Sequence, residues 1–148
     1  MEDKKEVLNN SECTAVIKSV YDTVKSYDGF TDIVVSFEDL NTDGAPCIGI
    51  FTMPGAIYLK KYITGGFEAL LPFSIVYRAS VNVDSQKFQI IECLNRLGEW
   101  FIENLPVLDD GRVTEKVEQT SVPYRNMIDP GCENDYIVTF QMTYRKDE

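Results

Sequence analysis

The clearest pattern in the chain is an alternation of apolar and polar positions over residues 66–81. Every odd position in this run is apolar, whereas the even positions include Glu68, Ser74 and Arg78. A period of two is typical of a strand with one buried face. At about 3.3 Å per residue the run would extend roughly 50 Å, so we expect the strand to bend or leave the body of the domain. Pro72, which cannot donate to a ladder, predicts an edge, bulge or bend at its middle.

The same reading predicts seven further elements. Apolar positions three and four residues apart indicate helices over 11–28 and 84–105, the second ended by Pro106. Shorter apolar runs predict strands at 33–37, 47–53, 57–63, 113–122 and 136–145. We expect one hairpin over 33–53, a longer hairpin over 57–81 whose tip can project, an edge strand at 113–122 and a loop over 123–135.

The predicted order of elements is therefore α-β-β-β-β-α-β-β. Because hairpins dominate this order, it indicates an α+β fold with an antiparallel or mixed sheet and two main helices packed on one face. A length of 148 residues suits a single domain over 1–148. Residues 1–10 are charged and without periodicity, so we expect them to be flexible.

Composition removes most catalytic chemistry from consideration. The chain contains no histidine, which excludes Ser-His-Asp and Cys-His nucleophile systems and histidine metal sites. The cysteines form no C-x-x-C pair, so we expect reduced thiols, at Cys13, Cys47, Cys93 and Cys132. Residues 39–44 imitate the start of a calcium loop, but Ile50 stands where its last carboxylate is needed. No glycine pattern suits a nucleotide phosphate, and we expect no enzyme activity, cofactor or metal.

Charge bears on the expected partners. The net charge of −10 disfavours binding to nucleic acid. Lys60 and Lys61, together with Arg78, could form a basic spot on the longer hairpin that contacts an acidic partner subunit, although such charges more often solvate a strand face. No apolar run approaches the roughly 18 residues of a membrane span, and a charged start argues against a signal peptide, so we expect a cytoplasmic protein.

Four stretches carry a resemblance to a known family. They are G-G-F-E-A-L-L-P-F-S-I-V-Y-R from Gly65, L-N-R-L-G-E-W-F from Leu94, N-L-P-V-L-D-D-G from Asn104 and Y-I-V-T-F-Q-M-T-Y-R from Tyr136. With the order of elements over residues 11–145, they resemble the tail terminator and minor capsid (neck) proteins of tailed bacteriophages and phage tail-like particles.

The resemblance implies a structural subunit that forms a ring, commonly a hexamer, on the head-proximal end of a tail tube and stops its polymerisation. It implies tail tube, neck or sheath proteins as partners, DNA that passes without being bound, and a location in the host cytoplasm and then in the virion or tail-like particle. On this interpretation the candidates for subunit or tube contact are Lys60, Lys61, Phe67 and Arg78. Trp100 and Phe101 are then expected in the core.

Three alternatives stay open at the level of sequence. One is another neck or tail-completion protein of the same particle. The second, from a different class, is a small-molecule-binding or enzymatic α+β domain with a pocket between the sheet and the 84–105 helix. The third is an adaptor that binds one host protein.

Overall fold

A computed structural model of the protein describes residues 6–42, 45–80, 83–127 and 134–147. Its α-helices and strands are α1 (Asn10–Val24), β1 (Val34–Phe37), β2 (Cys47–Thr52), β3 (Ile57–Lys61), β4 (Phe67–Arg78), α2 (Asp84–Glu103), β5 (Arg112–Gln119), β6 (Tyr124–Arg125) and β7 (Asp135–Lys146), and a short 3-10 helix, Asp28–Phe30, follows α1. The predicted α+β class is confirmed, with a mixed sheet. The predicted order also holds, except that the two-residue β6 lies in the segment predicted to be a loop.

The two longest strands, β4 and β7, form the centre of the sheet. They pair antiparallel over twelve residues each, from Phe67 opposite Lys146 to Arg78 opposite Asp135. Of the two predicted alternatives, a bend or a departure from the body of the domain, the departure does not occur, because β7 pairs with β4 from end to end. We call the end at Phe67 and Lys146 the hairpin end, and the end at Arg78 and Asp135 the α2 end.

The other side of β4 is shared by two shorter strands that lie end to end. β3 pairs with β4 at the hairpin end and β2 pairs with it at the α2 end, leaving Pro72 between them. The carbonyl of Pro72 accepts a hydrogen bond from the amide of Met53 at 3.3 Å, so its nitrogen faces the same gap. Pro72 thus lies in a central strand and not at an edge, and it is tolerated because no ladder donor is needed there.

The pairing of the first two strands differs from the prediction. We expected residues 33–53 to form a hairpin, but β1 runs parallel to β2, with Val34 opposite Cys47 and Phe37 opposite Ile50. The chain after β1 therefore runs back along the sheet before it enters β2. The amide of Glu38 already donates to the carbonyl of Ile50 at 2.8 Å as this return begins.

Gly49 allows the return segment to lie close to β2. A side-chain carbon built at Gly49 would lie 2.8 Å from the carbonyl oxygen of Asp39 and 3.0 Å from Leu40. Only glycine leaves room for backbone at such distances. The parallel pairing therefore depends on a close approach between residues that are ten positions apart.

The core lies between the sheet and both helices. The buried sheet residues alternate along the central strands, at Ala69, Leu71, Phe73 and Ile75 of β4 and at Tyr136, Val138, Phe140, Met142 and Tyr144 of β7. The helices contribute Val16, Ile17, Val20 and Val24 from α1 and Ile90, Leu94, Leu97 and Phe101 from α2. This single cluster confirms that two helices pack on one face of the sheet.

The predicted core aromatic residues of α2 lie at different depths. Phe101 is fully buried and packs edge-on against Phe140, with ring centroids 5.2 Å apart. Trp100 is half-buried at the rim of the core, 5.3 Å from the ring of Tyr27. The core prediction is thus confirmed for Phe101, whereas Trp100 covers the core from outside.

The start of the chain and the far edge of the sheet complete the fold. The amide of Leu8 donates to the carbonyl of Ala56, and Leu8 is buried, so part of the segment predicted to be flexible is fixed beside β3. Residues 1–5 lie outside the described ranges, as does Cys132. β5 forms the edge beside β7, as predicted. Within the described ranges, neither helix combines the length and apolarity needed to cross a membrane.

Candidate interaction surfaces

The four predicted contact residues lie at both ends of the central strands. Lys60, Lys61 and Phe67 gather at the hairpin end, whereas Arg78 lies eleven positions farther along β4, roughly 36 Å away. The guanidinium of Arg78 donates to both carboxylate oxygens of Asp135, at 2.7 and 3.0 Å. The three cations therefore do not form the single basic spot that the sequence suggested.

A tight turn presents apolar side chains at the hairpin end. The turn, residues 62–66, is closed by a hydrogen bond from the amide of Tyr62 to the carbonyl of Gly66 at 2.9 Å. Gly65 has a φ of 105°, a conformation that favours glycine. Ile63 is fully exposed and Tyr62 is 47% exposed. We call residues 62–66 the tip, and its exposed apolar surface makes it a candidate for contact with another chain.

Aromatic rings support the base of the tip. Phe67 packs edge-on against Tyr58, with ring centroids 5.0 Å apart, and against Tyr144 at 6.2 Å. Lys61 lies over the ring of Tyr58 at 4.4 Å and pairs with Glu6 at 2.5 Å. Phe67 is therefore half-buried and holds the tip in place, while Lys60 stays exposed.

A buried ion pair lies beneath this end of the sheet. Arg112 donates two hydrogen bonds to the carboxylate of Glu12, at 2.6 and 2.9 Å, and the hydroxyl of Tyr144 donates a third at 2.9 Å. Burial alone would raise the pKa of Glu12, but the hydrogen bonds from Arg112 and Tyr144 outweigh it, and the pKa lies below its ordinary value. The network joins α1 to β5 and β7, and it holds the tip on a fixed base.

Sequence reasoning missed this ion pair. Glu12 falls in the first turn of α1, where an acidic side chain is expected beside the free amides of a helix start. The cap itself is Asn9, whose side chain accepts from the amide of Glu12 at 2.8 Å. Nothing local links Glu12 to Arg112, which lies one hundred positions away.

The second face of the sheet has no helix on it among the described residues. The side chains on this face include seven that are half-buried, namely Phe51, Leu70, Pro72, Ser74, Thr139, Gln141 and Thr143. We call this set the open face. A sheet face that no described helix covers suits protein contact better than a small ligand, which favours concave sites.

Two of the clefts along α2 lie beside its N-terminal half. The larger, of about 600 Å³, lies where α2 faces Tyr77 and Gly29, and it includes Gln89, Cys93 and Arg96. Burial raises the pKa of the Cys93 thiol, which therefore stays protonated and is a poor nucleophile. Burial also raises the pKa of Tyr27, on the adjoining wall, to about 12.

The smaller cleft, of about 390 Å³, lies between the start of α2 and strands β6 and β7. Its lining residues are Asp84, Lys87, Phe88, Ile91, Arg125 and Tyr136. We call it the α2–β6 pocket. Phe88 is 71% exposed at its wall, and the hydroxyl of Tyr136 is buried without a hydrogen-bond partner in the described part of the chain.

Among the described side chains, the candidate interaction surfaces are better defined than any candidate catalytic or metal-binding group. In the described ranges, no three His, Cys, Asp or Glu side chains gather into a metal-binding group. The notable features are an apolar tip on a fixed base, an open sheet face and a pocket with an unpaired hydroxyl. No protein-family model matches the chain, and no curated protein is significantly similar to it in sequence.

Proposed function

We propose that this protein is a tail terminator, a structural subunit that forms a ring on the head-proximal end of a phage or phage-like tail tube and stops its polymerisation. The observation that carries the proposal is the tip, which exposes Ile63 and Tyr62 from a base held by a buried ion pair. Exposed apolar side chains on a fixed support indicate a docking element. The sequence resemblance in four stretches supports the same role.

A ring requires two different contact surfaces on each subunit. Head-to-tail contacts generate closed rings when the rotation between neighbours closes, and filaments when it does not. The tip at the hairpin end and the α2–β6 pocket at the α2 end are two such surfaces. The open face then remains available for the end of the tube or for the neck.

The charge of the chain suits a ring that surrounds DNA. A net charge of −10 on each subunit would make the ring strongly acidic. An acidic bore gains nothing from counterion release, so DNA would pass through without being held. In this proposal the protein acts in the host cytoplasm during assembly and then remains in the virion or tail-like particle.

Electron microscopy of tail tubes assembled with and without the labelled protein tests the proposal. We expect label at one end of each tube, and tubes of uncontrolled length when the protein is omitted. A variant with Ile63→Ser and Tyr62→Ser should lose the end label although it folds normally. Tubes of normal length with no label at either end would rule out the terminator role.

Label at a tube end with unchanged tube length would instead favour another neck or tail-completion protein. The larger cleft beside α2, of about 600 Å³, is the observation that favours a small-molecule-binding domain. A thermal-shift screen of small polar compounds, repeated on Gln89→Ala, would support that function if a stabilising compound loses its effect on the variant.

A further inference from the structure

The two edges of the sheet differ in how they are protected. β5, at one edge, has a bulge between Thr114 and Lys116 and carries four charged side chains. β1, at the other edge, reads Val-Val-Ser-Phe over Val34–Phe37, and its pairing with β2 has no bulge. Bulges, charges and prolines keep an edge strand from pairing with a further strand. Of these protections β1 has only a short length, four residues.

Several backbone groups of β1 point away from the sheet. In a parallel pair, alternate residues direct both amide and carbonyl to the neighbouring strand. The amide of Glu38 donates to Ile50 of β2, so Val35 and Phe37 direct their groups outward. The hydroxyl of Tyr21 donates to the carbonyl of Val35 at 3.2 Å. The amide of Val35 and both backbone groups of Phe37 have no hydrogen-bond partner among the described residues.

A groove of about 250 Å³ lies between α1 and the end of β1. Its surface is almost entirely apolar, and its lining residues are Thr14, Ile17, Lys18, Tyr21, Asp22 and Phe37. We call it the α1–β1 groove. Phe37 is 45% exposed, so its ring leaves apolar area in water that a side chain beside β1 would cover.

The edge and the groove together suit an extended peptide. Unpaired amide and carbonyl groups in a row match the backbone of an added strand, which supplies affinity. Because successive side chains of a strand point to opposite faces, every second side chain of the added strand would lie on the side of the groove. An apolar pocket at that place would select among these side chains.

Charge argues against a second copy as the source of this strand. Antiparallel pairing of two β1 strands sets the start of one against the end of the other. Asp32 of each copy would then lie near Glu38 and Asp39 of its partner, and like charges across a strand pair are destabilising. The β5 edge of a second copy carries the bulge and charges that discourage pairing.

The same carboxylates favour a basic partner. Within the groove, Lys18 and Asp22 carry opposite charges. Lys25 adds one cation on α1, where it lies over the ring of Tyr21 at 5.0 Å. The three carboxylates at the ends of β1 outnumber it. A peptide with Lys or Arg at its ends would therefore be attracted to this edge.

We infer that β1 accepts an extended segment of another protein as an added strand, with an apolar side chain in the α1–β1 groove and Lys or Arg side chains at its ends. The added backbone pairs with the amide of Val35 and with both groups of Phe37. The contact uses neither the tip nor the α2–β6 pocket. It therefore goes beyond the proposed function and does not rest on it.

Fluorescence anisotropy with labelled heptapeptides tests the inference on the wild-type protein. The probes are Lys-Thr-X-Thr-X-Thr-Lys, with each X in turn Val, Ile, Leu, Phe or Met, so that the apolar side chains share one face of the added strand. We expect at least one probe to bind with a Kd below about 1 mM. Replacing both of its lysines by glutamates should weaken binding by about tenfold.

Methylation of the peptide amides gives the sharpest result. An added strand directs alternate residues to β1 and the others to solvent. Two versions of the tightest probe are compared, one N-methylated on its odd residues and the other on its even residues. One version should lose binding and the other should keep it.

Two variants of β1 separate the edge from the groove. Val35→Pro removes an outward amide and leaves the ladder with β2, because proline is tolerated where the amide of an edge strand faces solvent. Phe37→Ser removes one wall of the groove. Each should weaken binding by about fivefold or more while the protein still unfolds cooperatively in urea. Val107→Ser is the matched control, because Val107 is 87% exposed and lies outside the groove.

Four outcomes would overturn the inference. Three are binding of no probe below about 1 mM, equal binding of the two methylated versions, and unchanged binding by both β1 variants. The fourth comes from sedimentation velocity: a wild-type dimer that Phe37→Ser dissociates would show that a second copy occupies β1. The tube-end experiment tests the terminator role separately, and none of these outcomes changes its result.

Discussion

Both ends of the central strand pair hold an arginine–carboxylate ion pair, but in different settings. At the hairpin end, the side chains of Arg112 and Glu12 are 7% and 8% exposed. At the α2 end, the side chains of Arg78 and Asp135 are 26% and 6% exposed. The first pair joins segments one hundred positions apart, whereas the second joins residues that already face each other in the ladder.

The difference shows what each pair contributes. Arg78 and Asp135 reinforce a strand pairing that backbone hydrogen bonds already fix. Arg112 and Glu12 fix the start of α1 against β5, which no backbone ladder does. A buried ion pair is expensive to desolvate, so its main contribution here is to geometry. The tip thus lies at the end of the sheet that the buried ion pair fixes.

The largest loss of stability is expected when the ion pair at the hairpin end is broken. Arg112→Met should lower the free energy of unfolding by about 3 kcal/mol, because it leaves the carboxylate of Glu12 buried without a cation. Urea unfolding followed by circular dichroism measures the change. The double variant Glu12→Leu with Arg112→Met should recover much of the loss, since no charge is then left unpaired.

A loss below about 1 kcal/mol for Arg112→Met would contradict this account of the hairpin end. It would mean that water reaches Glu12 after truncation, as at an exposed pair. The distinction between the two ends would then disappear.

The sequence predicted the elements better than their pairing. β4, β7 and both helices follow from local periodicity, which one stretch of chain carries by itself. The parallel pairing of β1 with β2 could not be predicted in this way. It depends on the return segment after β1, which lies against the backbone of Gly49. That close approach has no local signature.

The positions of the candidate contact residues in the sheet were predicted in part. The turn at Gly65 and the alternation after it place Lys60, Lys61 and Phe67 together at the hairpin end. Arg78 lies at the other end of β4 from Phe67. The length of the alternating run in the sequence already implied this separation. The pairing of Glu12 with Arg112 was not accessible, because 24 acidic and 14 basic residues offer many equivalent pairs.

A smaller effect is expected at the α2 end. Arg78→Met should lower the free energy of unfolding by about 2 kcal/mol, because Asp135 loses its cation but the backbone pairing of the ladder remains. The same urea measurement, made beside Arg112→Met, compares the two ends directly. An effect of Arg78→Met that exceeds that of Arg112→Met would reverse the comparison.

Lowering the pH should destabilise the hairpin end, because it protonates Glu12. Its pKa is lower in the folded protein than its ordinary value of 4.5, so ionised Glu12 stabilises the fold above pH 4.5 and this contribution is lost as the pH falls through the folded pKa. Glu12→Gln should therefore show a smaller loss of stability than the wild type between about pH 5 and pH 3. Urea midpoints across that range measure it. Parallel pH profiles for the two proteins would mean that Glu12 does not contribute.

The smallest effect is expected from an exposed ion pair at the same hairpin end. Lys61→Ala removes the pair with Glu6, whose side chains are 51% and 63% exposed, and the contact of Lys61 with the ring of Tyr58. Exposed pairs and exposed cation–ring contacts each contribute about 0.5 kcal/mol, so the free energy of unfolding should fall by no more than about 1 kcal/mol. Lys60→Ala, which removes a neighbouring exposed lysine, is the matched control. A loss as large as that of Arg112→Met would show that proximity to the tip, and not burial of the ion pair, sets the stability of this end.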